Sequence, residues 1–255
     1  MRKLLLPLLT ILFFISCQKQ ISTDKANITI CHYDAVTGTS KTIKVTQNEL
    51  AGHLAHGDLQ GDCSAVLVTI CDQDWMVKNL DVDHYRNGDT IPQVTDLTAW
   101  VGLTTGAWCY YENNSVNGPI YGKLYNWYAV NDPRGLAPVG WHMPTYNVLK
   151  SLQECLGGSF VAGGKMKAIT LWKSPNVGAT NESGFTGLPG GGRSGYDGSF
   201  NSSVNQWGYF WSSTEYIGAE VWLGLLRNEN TIFHLSTFEK KTGLSVRCVR
   251  KIENF

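Results

Sequence analysis

The sequence predicts an α+β protein with a loop-rich middle and a terminal antiparallel sheet, preceded by a small ββα module. Three observations predict it. Short stretches of period-two alternation recur near both ends of the chain, the mark of strands. Two segments open with helix caps and continue with apolar residues at helical spacing. Between the second of these and the terminal strands, residues 173–207 are rich in Gly, Asn and Ser and carry little periodicity. Composition agrees: 27 Gly, 9 Trp, 11 Tyr and 9 Phe accompany only 16% charged residues. Gly-rich turns joining short aromatic strands suit such a domain better than a helical bundle.

Residues 1–16 read as a lipoprotein signal peptide. Met1-Arg2-Lys3 is cationic, and residues 4–15 are apolar apart from Pro7 and Thr10. About a dozen apolar residues fall short of the ~20 that a membrane-spanning helix needs. A cationic start, a short apolar run and a small residue before a cut site form the secretory pattern. Phe14-Ile15-Ser16-Cys17 resembles a lipobox, in which the thiol of Cys17 takes a diacylglycerol. Acyl chains then hold the protein to a membrane at roughly 0.8 kcal/mol per buried methylene. Residues 17–26 are the expected tether, and the expected location is the outer membrane, on its periplasmic or its cell-surface face.

Formal net charge is zero, and Lys and Arg are scattered without a basic stripe, so nothing points to nucleic acid. With Cys17 lipidated, Cys31, Cys63, Cys71, Cys109, Cys155 and Cys248 remain. An even count in an oxidising compartment favours disulfides.

Residues 27–64 form the small module. Ile28, Ile30 and His32 alternate with Thr29, Cys31 and Tyr33, a strand. Thr37-Gly38-Thr39 is a turn, and residues 41–45 make a second strand. Thr46 followed by Glu49 is a capping box, with Val45 and Leu50 at the staple positions. Leu50 and Leu54 form one apolar edge, and Gly57 ends the helix. A core this small needs a staple. One reading is a Cys31–Cys63 disulfide, which the oxidising location favours. The other is a tetrahedral zinc site of Cys31, His53, His56 and Cys63, since His53 and His56 share a helix face.

The main domain runs from 65 to 253. The residues predict a strand at 66–70, loop at 86–106, an aromatic strand at 108–111 and a short helix at 122–130. Thr145 caps a further helix with Val148, Leu149, Leu152 and Leu156 on its apolar face; Gly157-Gly158 ends it. Strands at 208–214, 219–227, 231–236 and 243–250 predict a terminal meander.

Seven motifs then occur in order: Asp74-x-x-x-x-Asn79-Leu80, Tyr110-Tyr111-Glu112-Asn113-Asn114, Tyr121-Gly122-x-Leu124-Tyr125-Asn126-Trp127, Gly140-Trp141-His142-x-Pro144-Thr145, Gly178-Ala179-Thr180-Asn181-Glu182-Ser183-Gly184-Phe185, Gly208-Tyr209-Phe210-Trp211-Ser212-Ser213-Thr214 and Leu244-Ser245-Val246-Arg247-Cys248-Val249-Arg250. Together they resemble the Fibrobacter succinogenes major paralogous domain, common in exported proteins of Bacteroidetes and Fibrobacteres. The layout also resembles the C-type-lectin-like fold shared with formylglycine-generating enzymes. That second resemblance implies a fold and not a function. A Cys155–Cys248 bridge would match the helix-to-last-strand disulfide of lectin-like folds. Cys109–Cys248 is the alternative, since both lie inside family motifs. Only Cys248 stands where a formylglycine-generating enzyme would carry paired cysteines, and the sugar-binding tripeptides of calcium-dependent lectins are absent.

The sequence holds no Gly-x-Ser-x-Gly elbow, His-Glu-x-x-His pair, phosphate loop or dinucleotide fingerprint. Gly190-Gly191-Gly192-Arg193 could cradle an anion or simply turn the chain. Asn176, Asn181, Glu182 and Asp197 supply oxygens of the kind Ca²⁺ takes, although such residues also serve turn geometry. Glu215 and Glu220 flank a turn and could be imagined as a glycosidase pair. His142 reads as a hydrogen-bonded core residue and His234 as solvent-facing. Trp75, Trp127, Trp141, Trp211 and Trp222 sit in periodic elements and read as core. Trp100, Trp172 and Trp207 sit in loops, the better place for a binding surface.

The function expected is that of a non-catalytic, lipid-anchored binding or structural protein of the bacterial envelope. It would take a glycan or an envelope protein on its 173–207 loop face. The alternative is an enzyme acting on extracellular polysaccharide. No cofactor is certain, with calcium and zinc as the candidates.

Overall fold

The structure is a computed structural model that describes residues 27–251 except 35, 38, 201 and 202. The leader, Cys17 and the 17–26 tether therefore lie outside the described residues. The fold is mixed α and β, as expected, with four small sheets and short helices among the described residues.

The module folds as its sequence dictates. Strands β1 (Ile28–Asp34) and β2 (Thr39–Val45) pair antiparallel from Ile28↔Val45 to Asp34↔Thr39. Helix α1 (Gln47–Ala55) starts at Thr46, whose hydroxyl accepts from the Glu49 amide while Glu49 reaches back, a complete capping box. Gly57 leaves the helix at φ +90°. A third strand, β3 (Leu59–Gln60), was not foreseen; two residues carry no readable period. It pairs with β1 on the side away from β2, and the one-turn helix α2 (Cys63–Val66) follows.

Beyond the module, β4 (Leu67–Ile70) and β5 (Gln73–Met76) form a hairpin. The 86–106 loop contains a short helix, α3 (Leu97–Val101), capped by Asp96. The aromatic strand at 108–111 is shorter than expected. Only β6 (Trp108–Cys109) is extended, and 3-10 turns follow at Tyr111–Asn113 and Ser115–Asn117. Helix α4 (Gly118–Tyr121) comes next. The expected 122–130 helix is corrected to β7 (Leu124–Tyr125) and α5 (Trp127–Val130). Leu124 pairs with Cys109, and the Asn126 amide oxygen accepts from both Ala107 and Ala129, so the helix can begin only after it.

Helix α6 (Tyr146–Cys155) matches expectation from its Thr145 cap to Gly157 and Gly158, both at positive φ. Helix α7 (Ser159–Met166) was missed because Gly163 and Gly164 weaken a helical reading. A Cβ on Gly163 would lie 2.5 Å from the Ile232 carbonyl, so close packing, not propensity, sets that residue.

The terminal sheet has three strands, β8 (Trp207–Glu215), β9 (Glu220–Arg227) and β10 (Phe233–Glu239), in the order β10-β9-β8. The fourth meander strand is corrected. Gly243, Leu244 and Ser245 make isolated bridges, and β11 (Val249–Lys251) joins β5 to give a sheet ordered β11-β5-β4.

The terminal sheet is clad on both faces. Tyr209, Trp211, Val221, Leu223 and Leu225 enter one core with Trp127, Trp141 and Cys248. Phe210, Leu226 and Phe233 enter a second core under α6 and α7, with Trp75 and Phe185. A third cluster holds Trp100, Cys109, Tyr111 and Leu124. Trp75, Trp127, Trp141 and Trp211 are buried as expected; Trp222 is only half-buried.

Candidate binding site

Long loops leave many carbonyls without a ladder partner, and buried carbonyls must be satisfied. This chain satisfies them with side chains. The buried indoles of Trp100, Trp108, Trp127, Trp141, Trp172 and Trp211 donate to Lys241, Ile91, Ser212, Gly57, Gly187 and Tyr125 carbonyls. Arg193 donates to the carbonyls of Val94, Thr95, Asp96 and Gly198. Lys167 donates to those of Val177, Arg227 and Asn230, and burial pushes its ammonium down to about 8. Arg247 donates to Asn79, Met76 and Phe185, and Arg250 to Asp74. Several motif residues, among them Asp74, Asn79, Trp127, Trp141, Trp211, Arg247 and Arg250, are therefore cross-links of loops.

This accounting corrects the 173–207 face. Trp100 and Trp172 are core residues. Arg193 is fully buried, its guanidinium 4.4 Å from the centre of the Trp100 ring, so no anion cradle exists there. Trp207 is half-buried under the Arg227 guanidinium at 4.8 Å. The calcium candidates serve local bonding. Asn181 exchanges two hydrogen bonds with Thr186, Asn176 donates to Ala168, Glu182 lies 3.5 Å from Lys165, and Asp197 accepts from Ser199.

The cysteines pair as Cys31–Cys63 and Cys71–Cys155. The first excludes the Cys31/His53/His56/Cys63 zinc site, because both sulfurs are consumed. The second overturns Cys155–Cys248, and the free state of Cys109 and Cys248 overturns the alternative pairing of those two. Cys71 sits at positive φ in the β4–β5 turn and meets the end of α6, while Cys109 and Cys248 are free thiols buried in different cores. His142 is exposed and uses its backbone, not its ring, to pair with Val249. His234 is half-buried, with Nε2 unpartnered among the described residues.

Three surfaces can do chemistry. The first is a cleft of about 410 Å³ between module and main domain. Leu54 and Leu59 face Met76, Leu80, Val82 and Leu136 across it. Its edge carries Lys78, Asp81, His84 and Arg86. Asp81 is held by Lys123, His84 by Asp83, and Arg86 by the Ala137 carbonyl, whereas Lys78 has no partner among the described residues. Module and domain are held around it by Trp141 on Gly57 and by Arg250. The Arg250 guanidinium bonds Asp74 and Ser40 and lies 4.0 Å from the Tyr33 ring centre.

The second surface is the outer end of the terminal sheet. Trp222 stands between Tyr146, at 4.5 Å, and Tyr216, at 4.9 Å between ring centres. Tyr216 is 49% exposed. Trp222 pairs with Thr237, whose hydroxyl donates to Glu220, and Glu215 accepts from Lys240.

The third was missed in the sequence. His32 on β1 and His53 on α1 both approach Oδ2 of Asp58 through Nδ1 at 2.8 Å. The Asp58 side chain is 1% exposed, and Oδ1 accepts from the Tyr33 amide at 2.8 Å. Burial pushes the Asp58 carboxyl up, but bonds from His32, Tyr33 and His53 outweigh it and hold it below the usual range. His53 was singled out with the wrong partners. Asp58 in its His-Gly-Asp context was the available signal.

These features define a disulfide-bonded α+β domain whose loops are stapled by buried cations and indoles, with a small N-terminal module docked on it. Among the described residues no helix is long and apolar enough to cross a membrane. The chain belongs to the Fibrobacter succinogenes major domain family, whose model matches residues 68–250. No curated protein and no solved structure matches it. Membership fits a surface or structural protein.

Proposed function

We propose that the protein is a lipid-anchored, non-catalytic binding protein of the bacterial envelope. Its ligand lies in the cleft between module and family domain. The carrying observation is the cleft itself: about 410 Å³, apolar-walled, with few polar groups at its edge. Small-molecule sites fall in this size class and composition, often at domain junctions. Lys78, the cation without a partner there, selects a molecule with an apolar body and an anionic end. Cys17 and its leader support the anchor, and two disulfides agree with an oxidising compartment.

Anilinonaphthalene sulfonate combines an aromatic body with an anion and is the probe of choice. The native protein should enhance its fluorescence. Leu136→Trp, which fills the cleft, should abolish the enhancement, and Lys78→Glu should weaken binding several-fold. An unchanged titration in both variants rejects the cleft. Mass spectrometry of Cys17 tests the anchor.

The Tyr146–Trp222–Tyr216 ridge favours a second reading, a glycan stacked on the exposed Tyr216 ring and the half-buried rings beside it. Glu215 and Glu220 would then bond sugar hydroxyls. A glycan array that distinguishes wild type from Trp222→Ala supports it. Hydrolysis of an arrayed glycan, lost in Glu215→Gln, would instead favour the polysaccharide-acting enzyme.

A further inference from the structure

The module contains a group outside the family match, of which Asp58 alone also lines the cleft. His32, His53 and Asp58 are the three-residue His/Cys/Asp/Glu group among the described residues whose ligand atoms all lie within 4.8 Å of one another. We propose that they bind a divalent transition-metal ion of the zinc class, through two imidazole nitrogens and one carboxylate oxygen, with at least one position left open to solvent.

The donor set is right for such an ion. Imidazole and carboxylate together suit zinc and its neighbours, and three protein ligands plus an open position is the pattern of zinc sites that meet a substrate. The geometry is close to right. Both imidazole Nδ1 atoms stand 2.8 Å from Asp58 Oδ2. Bonds of about 2.0–2.1 Å in a tetrahedron place ligand atoms roughly 3.3 Å apart. Small ring rotations would open that space, and the ion would replace the shared N–H protons. The Tyr33 amide holds the other Asp58 oxygen at 2.8 Å, the kind of outer bond that orients a metal-binding carboxylate.

The site is also preorganised. His32 follows Cys31, whose disulfide to Cys63 closes the module, and His53 lies in the capped helix α1. The two rings stand 5.3 Å apart at 89°. Both remain part-exposed, at 28% and 24%, so an ion can enter from water. The His56 ring, 6.0 Å from that of His53, stands near enough to supply a fourth nitrogen after a side-chain rotation.

The test uses the whole exported protein, stripped with chelator and titrated with cobalt(II) and with zinc(II). Wild type should take up one equivalent, give the intense visible absorption of tetrahedral cobalt, and release it to zinc. His32→Ala and His53→Ala should each weaken uptake by about tenfold or more, as loss of a ligand requires. His142→Ala, at an exposed imidazole outside both the module and the cleft, should not. Because Asp58→Asn could unfold the module, near-ultraviolet circular dichroism accompanies each variant, and only folded variants count. No uptake by wild type, or equal uptake in both folded histidine variants, overturns the site. The cleft assignment stands or falls separately, since fluorescent-probe binding should survive in both histidine variants.

Discussion

The indole N–H of Trp141 donates to the carbonyl of Gly57 across 3.0 Å, joining the end of the module helix to a loop of the family domain. Gly57 permits this approach. Its φ is +90°, and a Cβ there would lie 1.6 Å from the Val139 carbonyl oxygen. Gly57→Ala should therefore destabilise the protein by about 1–3 kcal/mol from backbone strain, with the clash added. Trp141→Phe, which keeps an aromatic ring and loses the donor, should cost about 1–3 kcal/mol. Urea unfolding checks both. If the cleft is the binding site, Gly57→Ala should also lower probe affinity, because it pushes the two walls apart.

Arg193 separates a binding role from a structural one. As an anion-binding residue its loss would cost affinity and leave the fold intact. Its guanidinium instead satisfies four loop carbonyls and stacks on Trp100 and Phe200. Arg193→Ala strands several buried acceptors, each costing about 1–3 kcal/mol, so a large drop in melting temperature is expected. Trp172→Ala should behave likewise, at about 3–5 kcal/mol for a buried tryptophan. A folded Arg193→Ala protein with unchanged melting temperature would contradict this assignment.

Local signals in the sequence specified what is local in the fold. The capping box at Thr46, the cap at Thr145, the β1–β2 hairpin and the β8–β9 pair depend on neighbours in the chain, and their patterns are legible. Residues whose role is long-range were misread. Trp100, Trp172 and Arg193 sit in polar, aperiodic stretches, yet each is buried and bonds a carbonyl outside its own segment, 141, 15 and 99 residues away. Gly163 and Gly164 hid a helix because what demands them lies elsewhere in the chain: Thr231 and Ile232 against Gly163, and Gly178 and Thr231 against Gly164. Cysteine pairing is set by which loop ends meet, which no spacing encodes. Asp58 escaped notice because a lone acid after Gly57 looks like a turn residue until β1 and α1 bring His32 and His53 to it.

His234 gives stability a pH dependence. It lies on β10 opposite Leu225, on the face that enters the core, and its Nε2 has no partner among the described residues. Burial first, and the Arg227 cation second, hold its pKa below the ordinary value; Glu229 opposes them weakly. The unfolded chain, with a pKa of about 6.5, then takes up the proton before the folded one. Stability from this residue is intact above about pH 6.5 and is lost as pH falls from there through the lower folded value. His234→Leu should flatten the fall in urea midpoint between about pH 7.5 and about pH 5. An equally steep fall in the variant would place the dependence elsewhere.

Cys109 and Cys248 test the disulfide assignment directly. Burial pushes their thiols up to about 11 and about 12, against the opposing pull of Arg193 on one and Arg247 on the other. The thiolate is the reactive form, so neither residue should react with a thiol reagent in the native protein at neutral pH. With Cys17 acylated or absent, denaturation without reductant should expose two thiols, and reduction should raise the count to six. The two-thiol count tests the partners as well as the number of bridges, because peptide mapping must place both labels on Cys109 and Cys248. A label on Cys71 would mean that Cys155 had bonded elsewhere, and the helix-to-last-strand bridge to Cys248 would return as its partner.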